Sequence, residues 1–272
     1  MMDDLYNQLN LIAAGIFCYL LALFVPAFYR KPVVTGWNLS MMFQMAGIGF
    51  FLAAIVVRWK LAGHGPFIAM FEILLSSTFS LGFVLIVASV YSAAIRKASL
   101  TAIVVILVLG FWLLVTRNTI GPLPPTYDNN WLWVHVAVGK IFLGLNLVAT
   151  SLAAYGLWLS RGGGSQLTQA QRRDIVRLAW AYFLASFVFH SLMLIAGAVW
   201  AQDAWGRYWA WDPLETWAFV TWLAMVLLIH VRSAYRFREF WVWIGMLLVF
   251  VLAFFTFFGA PFISIAPHKG AV

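Results

Sequence analysis

Cysteine, charge and long polar stretches are all scarce in this sequence. The single cysteine, Cys18, excludes an internal disulfide and a CxxC redox pair on this chain. Charged residues make up 10% of the 272 and hydrophobic residues 64%, a composition that excludes a water-soluble globular domain. We therefore predict one polytopic transmembrane domain that covers residues 1–272.

Apolar runs of about 20 residues recur along the chain, which favours membrane-spanning helices over the short alternating segments of a β-barrel. The opening MMDDLYNQLN has no basic residue before the first apolar run, so we interpret that run as a span rather than a cleaved signal. The predicted fold is all-α with about eight transmembrane helices. Their approximate ranges are 9–29, 38–57, 66–94, 98–116, 131–160, 175–200, 213–231 and 240–260.

The basic residues predict how the chain is oriented in the membrane. The formal net charge is +8, but these residues are dispersed at helix ends, which favours a topological role over nucleic-acid binding. Connections after the odd-numbered spans contain eleven of the seventeen lysines and arginines. Both termini are therefore predicted to be non-cytoplasmic, and the connection between spans six and seven faces outward. His64, His135 and His268 share that outer side, whereas His190 lies near mid-depth and His230 toward the inner end of span seven.

Tryptophan is concentrated in the connection between spans six and seven. Residues 200–222 contain six of the fifteen tryptophans, together with Asp203, Asp212 and Glu215. Part of this pattern is structural, since tryptophan accumulates at membrane interfaces. Asp212 also predicts a helix N-cap, with Pro213 at the first helical position and Glu215 closing a capping box.

A helical conformation of this segment would create a flat aromatic surface. Trp205 and Trp209 are one helical turn apart, as are Trp211 and Glu215. Such a surface suits a large planar ligand, and histidines on the same side favour a metalloporphyrin, with Arg207 near a propionate. An interfacial aromatic belt or another planar ligand such as a quinone is the alternative.

The sequence WGRYWAWDPLETWAFVTW at 205–222, followed by His230, resembles the WWD signature of haem-handling proteins of cytochrome c biogenesis. It is most similar to the CcsA (ResC) family, the membrane subunit of the system II cytochrome c synthetase. GAVWAQDAWG at 197–206, WLWVHV at 131–136 and the RW…GHGP stretch that leads to Glu72 also match that family. The haem-export and system I haem-lyase branches fit less well, because they differ in the residues after the WWD core or in length.

The resemblance implies an activity and a set of ligands. His135 and His268 would bind the iron of haem b axially at the outer face, and His230 would bind a second haem within the membrane, its counter-ligand coming from a CcsB-type subunit. The haem would be presented to the CxxCH thiols of apocytochrome c, as in a haem-lyase type synthetase, in a bacterial cytoplasmic or a thylakoid-type membrane. The tryptophan-rich face would be periplasmic, extracellular or lumenal. The predicted cofactor-binding residues besides these histidines are Trp205, Arg207, Trp209, Trp211, Asp212, Glu215 and Trp217.

Two other functions are compatible with the residues: a haem exporter without covalent chemistry, and a transmembrane electron carrier that binds haem or quinone through His190 and His230. His268 lies in PHKG, which departs from the His-Ser-Tyr-Gly typical of the family, and Leu214 replaces its usual lysine. For the nearly intramembrane Glu72 and Lys140 we expect mutual or water-mediated pairing, with a haem propionate as the alternative.

Overall fold

The computed structural model describes residues 2–28, 33–162, 168–235 and 237–263, and all regular secondary structure in these ranges is helical. Seven helices are long and apolar enough to cross a membrane, and an eighth apolar helix, Leu100–Val115, is shorter. The chain is therefore an all-α integral membrane protein, as predicted. The helices are α1 (Met2–Phe28), α2 (Val33–Ala62), α3 (Met70–Tyr91), α4 (Ala93–Ala98), α5 (Leu100–Val115), α6 (Asn130–Ser160), α7 (Gln169–Trp205), α8 (Pro213–Ala234), α9 (Glu239–Phe254) and α10 (Ala260–Ile263).

The chain divides into two compact units, residues 1–123 and 124–270. In the first unit, α1 and α2 form an antiparallel pair on which α3 and α5 pack. Hydrogen bonds from side chains to main-chain oxygens join α1 and α2 near both ends of the pair. Gln8 Nε2 donates to the Ala54 oxygen at 3.1 Å, and Ser40 Oγ donates to the Ala22 oxygen at 2.7 Å. These bonds satisfy polar groups that neither lipid nor a dry helix surface could satisfy.

A buried ion pair lies at the end of α2 in the first unit. Arg58 Nε donates to Glu72 Oε1 at 2.9 Å, and the two side chains are 0% and 1% exposed. Glu72 Oε2 accepts the main-chain N–H groups of Ile68 and Ala69, so both carboxylate oxygens have donors. The expectation that Glu72 pairs with Lys140 was therefore wrong, because the return of the chain through residues 63–69 brings Arg58 to the carboxylate.

The same arginine fixes the polar connection that follows α5. Arg58 Nη1 donates to Asn118 Oδ1 at 2.5 Å and Nη2 donates to the Thr119 main-chain oxygen. His64 is buried beside it, with Nδ1 2.9 Å from the Gly65 oxygen and Nε2 3.0 Å from the Gly121 oxygen. Arg58 of α2 and His64 of the α2–α3 connection thus bind residues 118–121.

The second unit is built on the long antiparallel pair α6 and α7. Helix α9 packs on α6, where Trp243 covers Gly156: a Cβ built on that glycine would lie 2.8 Å from Trp243 Cζ2. Helix α8 is bonded to α7 by Trp222 Nε1, which donates to Ser191 Oγ at 2.9 Å. A π-helical turn, Phe255–Gly259, joins α9 to α10, so Glu239–Ile263 forms one continuous apolar span.

Helix α7 begins earlier than the sequence predicted. The glycine and polar content of residues 161–174 predicts a loop, but α7 starts at Gln169. Thr168 caps it: its hydroxyl accepts from the Gln171 main-chain N–H at 3.3 Å, and the Gln171 side chain accepts from the Thr168 N–H at 3.1 Å. This reciprocal capping box extends the polar, exposed start of α7 beyond its apolar part.

Candidate functional site

The tryptophan-rich segment joins the end of α7 to the start of α8. Helix α7 ends at Trp205, where Gly206 adopts the left-handed conformation with φ 75° that commonly terminates helices. Residues 206–212 are not helical. The prediction of a flat surface from helical spacing of Trp205 and Trp209 was therefore wrong, because Trp205 ends a helix and Trp209 lies in the connection.

The acidic residues of this segment stabilise the backbone. Asp212 is the N-cap of α8, with its Oδ1 accepting from the Glu215 N–H at 2.9 Å and Pro213 at the first helical position, as predicted. The hydrogen-bond partner of the Glu215 carboxylate differs from the one that the capping-box prediction gave. It accepts from the Ala210 N–H at 2.7 Å, two residues before the position that a capping box uses. Both side chains are buried, so they fix the path of the connection rather than face a solvent-exposed ligand.

Trp211 has a positive φ of 59°, and it is the one non-glycine residue of the described chain with this conformation. A bulky residue in the left-handed region is strained by about 1 to 3 kcal/mol and occurs mostly at functional sites. The bonds of Ala210 and Asp212 to α8 hold the backbone on either side of it. In this conformation the Trp211 side chain is 70% exposed.

His135 lies on α6 against the facing part of α7. Its Nδ1 is 2.9 Å from the Met193 main-chain oxygen, which only accepts, so Nδ1 carries the hydrogen and Nε2 carries the lone pair. Gly197 permits this approach: a Cβ there would lie 2.7 Å from Nδ1. The tautomer with its lone pair on Nε2 is the one that a carbonyl partner imposes on a metal-binding histidine.

Two aromatic residues that the sequence analysis did not select complete the surroundings of His135. The buried Trp200 ring stacks on the imidazole with centroids 6.1 Å apart, and Tyr127 meets Trp200 edge-on at 5.5 Å. Trp200 Nε1 donates to the Thr126 oxygen at 3.0 Å. Trp205 also meets Trp200 edge-on, at 4.8 Å. Burial raises the pKa of the Tyr127 hydroxyl, which stays neutral.

The ends of α6 and α7 are bonded at the same level. Asn129 caps α6 by accepting from the Trp131 N–H at 2.7 Å, and its Nδ2 donates to Asp203 Oδ2 at 3.2 Å. Asp203 belongs to the last turn of α7, so one amide joins the start of one helix to the end of the other. The spacing of these residues in sequence gives no signal for this contact.

A second aromatic row extends from the connection along α8. Trp211 meets Trp209 edge-on at 5.7 Å, and Trp209 meets Phe219 at 6.1 Å. Phe219 stacks on Trp222, whose ring also approaches Phe187 of α7 at 5.7 Å. Trp209 Nε1 is buried with no hydrogen-bond partner among the described residues, which is an N–H donor available to a ligand.

The remaining residues that were predicted to bind the cofactor lie in places that differ from one another. Arg207 is exposed in the connection, and Trp217 packs edge-on against Phe255 at 4.8 Å. His230 is exposed in the last turns of α8, on a stripe with Val220, Leu223 and Leu227. His268 lies outside the described residues. Within the described residues, no three histidine, cysteine, aspartate or glutamate side chains cluster.

These residues supply the groups that a metalloporphyrin requires. The second unit contains a tautomer-fixed imidazole, broad indole faces, a buried N–H donor and an exposed guanidinium.

Comparison with known proteins identifies the family. The sequence profile described as "Cytochrome C assembly protein" matches residues 9–268. The chain belongs to the cytochrome c assembly protein family. A member of this family acts in cytochrome c biogenesis, and the match covers both units of the fold.

Similar proteins are cytochrome c biogenesis proteins named CcsA. The chain is 27% identical to that of Chlorella vulgaris over 259 residues, covering 79% of this chain and 82% of the relative. It is 28% identical to that of Prochlorococcus marinus (strain MIT 9312) over 208 residues, covering 65% and 67%. These matches support the predicted resemblance to CcsA.

A solved structure, the cytochrome c haem lyase CcmF, shares the fold. The TM-score is 0.71 at 18% identity, and the alignment covers 94% of this chain. The chain spans about half the length of CcmF, since 46% of that protein is covered.

Proposed function

We propose that this chain binds haem b at the outer face of the membrane and presents it for thioether attachment to the CxxCH thiols of apocytochrome c. The observation that carries this proposal is the His135 ring, whose Nδ1–H is bound to the Met193 oxygen and whose face lies on Trp200. That arrangement orients a lone pair on Nε2 and fixes the plane of the imidazole. His268 is the proposed second axial ligand.

The tryptophan-rich connection supplies the remaining contacts with the porphyrin. The exposed Trp211 offers a flat apolar face, Trp209 Nε1 offers an unused N–H, and Arg207 offers a guanidinium for a propionate. Trp205 packs on Trp200 and Trp217 on Phe255, while Asp212 and Glu215 hold the backbone of the connection. These are positioning roles, which suit a reaction whose reactants are both brought in from elsewhere.

The attachment itself needs no nucleophile from this chain. Each substrate thiol adds across a haem vinyl group: the S–H bond and the vinyl π bond are lost and a C–S and a C–H bond are formed, so electrons balance without an oxidant. The chain contributes orientation, and the CxxCH histidine replaces one axial ligand as the sulfurs approach. A neutral imidazole is required for iron binding, so haem occupancy should fall in acid.

His230 is the proposed ligand for haem on its way to the outer face. It lies on an exposed apolar stripe of α8, so a second ligand there would come from another chain, and we propose a CcsB-type subunit. The proposed orientation has both termini and the tryptophan-rich connection outside the cytoplasm, in a bacterial cytoplasmic or a thylakoid-type membrane. The electron-carrier alternative loses support, because His190 is buried against Phe142 whereas His230 is exposed.

The test is to substitute His135→Gly and His268→Gly and to purify each protein with its partner subunit. We expect each variant to lose most of its haem in the pyridine haemochrome assay, and added imidazole to restore the absorption spectrum. His64→Gly is the matched control, because both ring nitrogens of His64 face main-chain oxygens in the first unit. Spectra unchanged in both site variants would overturn the ligand assignment.

A co-expressed CxxCH reporter separates the proposed activity from simple export. Thioether-linked haem on the reporter, dependent on His135, supports a synthetase. Haem that crosses the membrane but stays extractable from the reporter supports an exporter instead.

A further inference from the structure

Helices α6 and α7 contact one another in regular layers. His135 faces Gly197, Gly139 faces Met193, and Phe142 stacks on His190 with ring centroids 4.1 Å apart. Each step of three or four residues forward on α6 is matched by the same step backward on α7. The next layer therefore pairs Asn146 with Ser186, and the one after it contains Thr150.

Three successive layers of this interface contain buried polar atoms that have no hydrogen-bond partner in the part of the chain that the structure describes. These are His190 Nδ1, both the Nδ2 and the Oδ1 of Asn146, and Thr150 Oγ1. The three side chains are 1%, 0% and 1% exposed. Neighbouring hydroxyls are satisfied within their own helices, since Ser151 Oγ donates to the Leu147 oxygen and Ser186 Oγ to the Phe183 oxygen. The unpartnered atoms are thus a specific set.

The chemistry of this set indicates the kind of ligand. An amide and a hydroxyl together offer both donors and acceptors, and the imidazole nitrogen can serve as either. A metal ion is disfavoured, because α6 has no carboxylate and those of α7, Asp174 and Asp203, lie near its two ends. The remaining candidate is a small neutral molecule that both donates and accepts.

We propose that the α6–α7 interface binds a chain of internal water molecules, bonded in turn to His190 Nδ1, the Asn146 amide and the Thr150 hydroxyl. Buried polar atoms in proteins that lack a protein partner are commonly satisfied by ordered water. The polar seam, defined as His190, Asn146 and Thr150, begins two turns from His135 on the same interface. This inference does not depend on haem binding.

Pulsed hydroxyl-radical labelling of the intact purified protein tests the proposal, because millisecond pulses oxidise buried side chains only where bound water lies beside them. We expect Phe142, His190 and Met193 to be labelled at least several-fold faster than Met225 and Phe258. All five are buried, and Met225 and Phe258 belong to other interfaces of the second unit. Labelling of all five at the same low rate would overturn the proposal.

Substitutions identify the polar atoms as the cause. Asn146→Leu keeps the branched shape of the side chain and removes both polar groups, and it should lower the labelling of Phe142 and His190 to the rate of Phe258. Thr150→Val is the second variant, and it tests the proposed water binding if the Asn146→Leu protein does not accumulate. Ser151→Ala is the matched control, because its hydroxyl is already bonded within α6, and labelling should not change. Unchanged labelling in both site variants would contradict the inference.

Discussion

Gly197 of α7 lies directly against the imidazole of His135 of α6, so that a Cβ at position 197 would lie 2.7 Å from Nδ1 and 2.8 Å from Cε1. No side chain fits there without moving the ring. The glycine is therefore part of what orients the histidine, although it carries no functional group.

Gly197→Ala should displace the His135 ring from the Met193 oxygen and weaken haem binding. Loss of a group that orients a metal-binding histidine typically costs about 10- to 100-fold in affinity. Haem content per protein, measured by pyridine haemochrome, checks this. Gly49→Ala is the control, because that α2 glycine has nothing within 4 Å of a built Cβ, and its haem content should not change.

Trp211→Gly should separate stability from binding. Glycine accepts a φ of 59° without strain, so the thermal unfolding midpoint should stay the same or rise, while haem retention falls because the exposed indole is lost. Tyr208→Gly, at an exposed position of the same connection without a positive φ, should lower the midpoint slightly. A parallel fall of midpoint and haem in Trp211→Gly would contradict the strain argument.

Asp212→Ala should destabilise the start of α8 by about 0.5 to 2 kcal/mol, because the Glu215 N–H loses its acceptor. Amide hydrogen exchange of residues 210–216 should become faster, with little change in α9. Asp212→Asn keeps an oxygen acceptor and should retain most of the protection. Equal exchange in both variants would show that the N-cap bond is unimportant.

Arg58→Met should cost about 3 to 5 kcal/mol, since Glu72 would be left buried without its cation. The double variant R58M/E72M should recover part of that loss, because no charge is then stranded. The exposed pair Arg177 and Asp174 provides the comparison, where Arg177→Met should change stability by about 0 to 1 kcal/mol. Thermal unfolding of the purified variants measures all three, and a double variant worse than the single one would refute the ion-pair explanation.

Much of the fold follows from hydropathy, which places the apolar helices correctly along the chain but misses some of their ends by up to about seven residues. It does not predict the ends that polar capping sets, as the start of α7 at Gln169 demonstrates. The helix-forming segments and the N-cap Asp212 are local features, and local chemistry identified them. The helix-forming segments and the N-cap can both be recognised from short stretches of consecutive residues.

The site was less predictable because its contacts join distant segments. His135 and Trp200 meet only through the register of α6 against α7, and a one-turn slip would replace that contact. The spacing of Trp205 and Trp209 suggested a helix, but Gly206 ends α7 between them. Arg58 as the partner of Glu72 was equally hidden, since several cations were available in sequence and only the folded chain selects one.

The attachment of residues 118–121 to Arg58 and His64 bears on how this protein can be engineered. A polar, proline-containing stretch after α5 looks like a natural place for an epitope tag or a fluorescent reporter. Any insertion there would pull Asn118, Thr119 or Gly121 away from the Arg58 and His64 side chains and leave buried N–H groups of Arg58 without their present acceptors. Reporters are better fused near the start of α7, where residues 169–174 are exposed and carry no buried side chain.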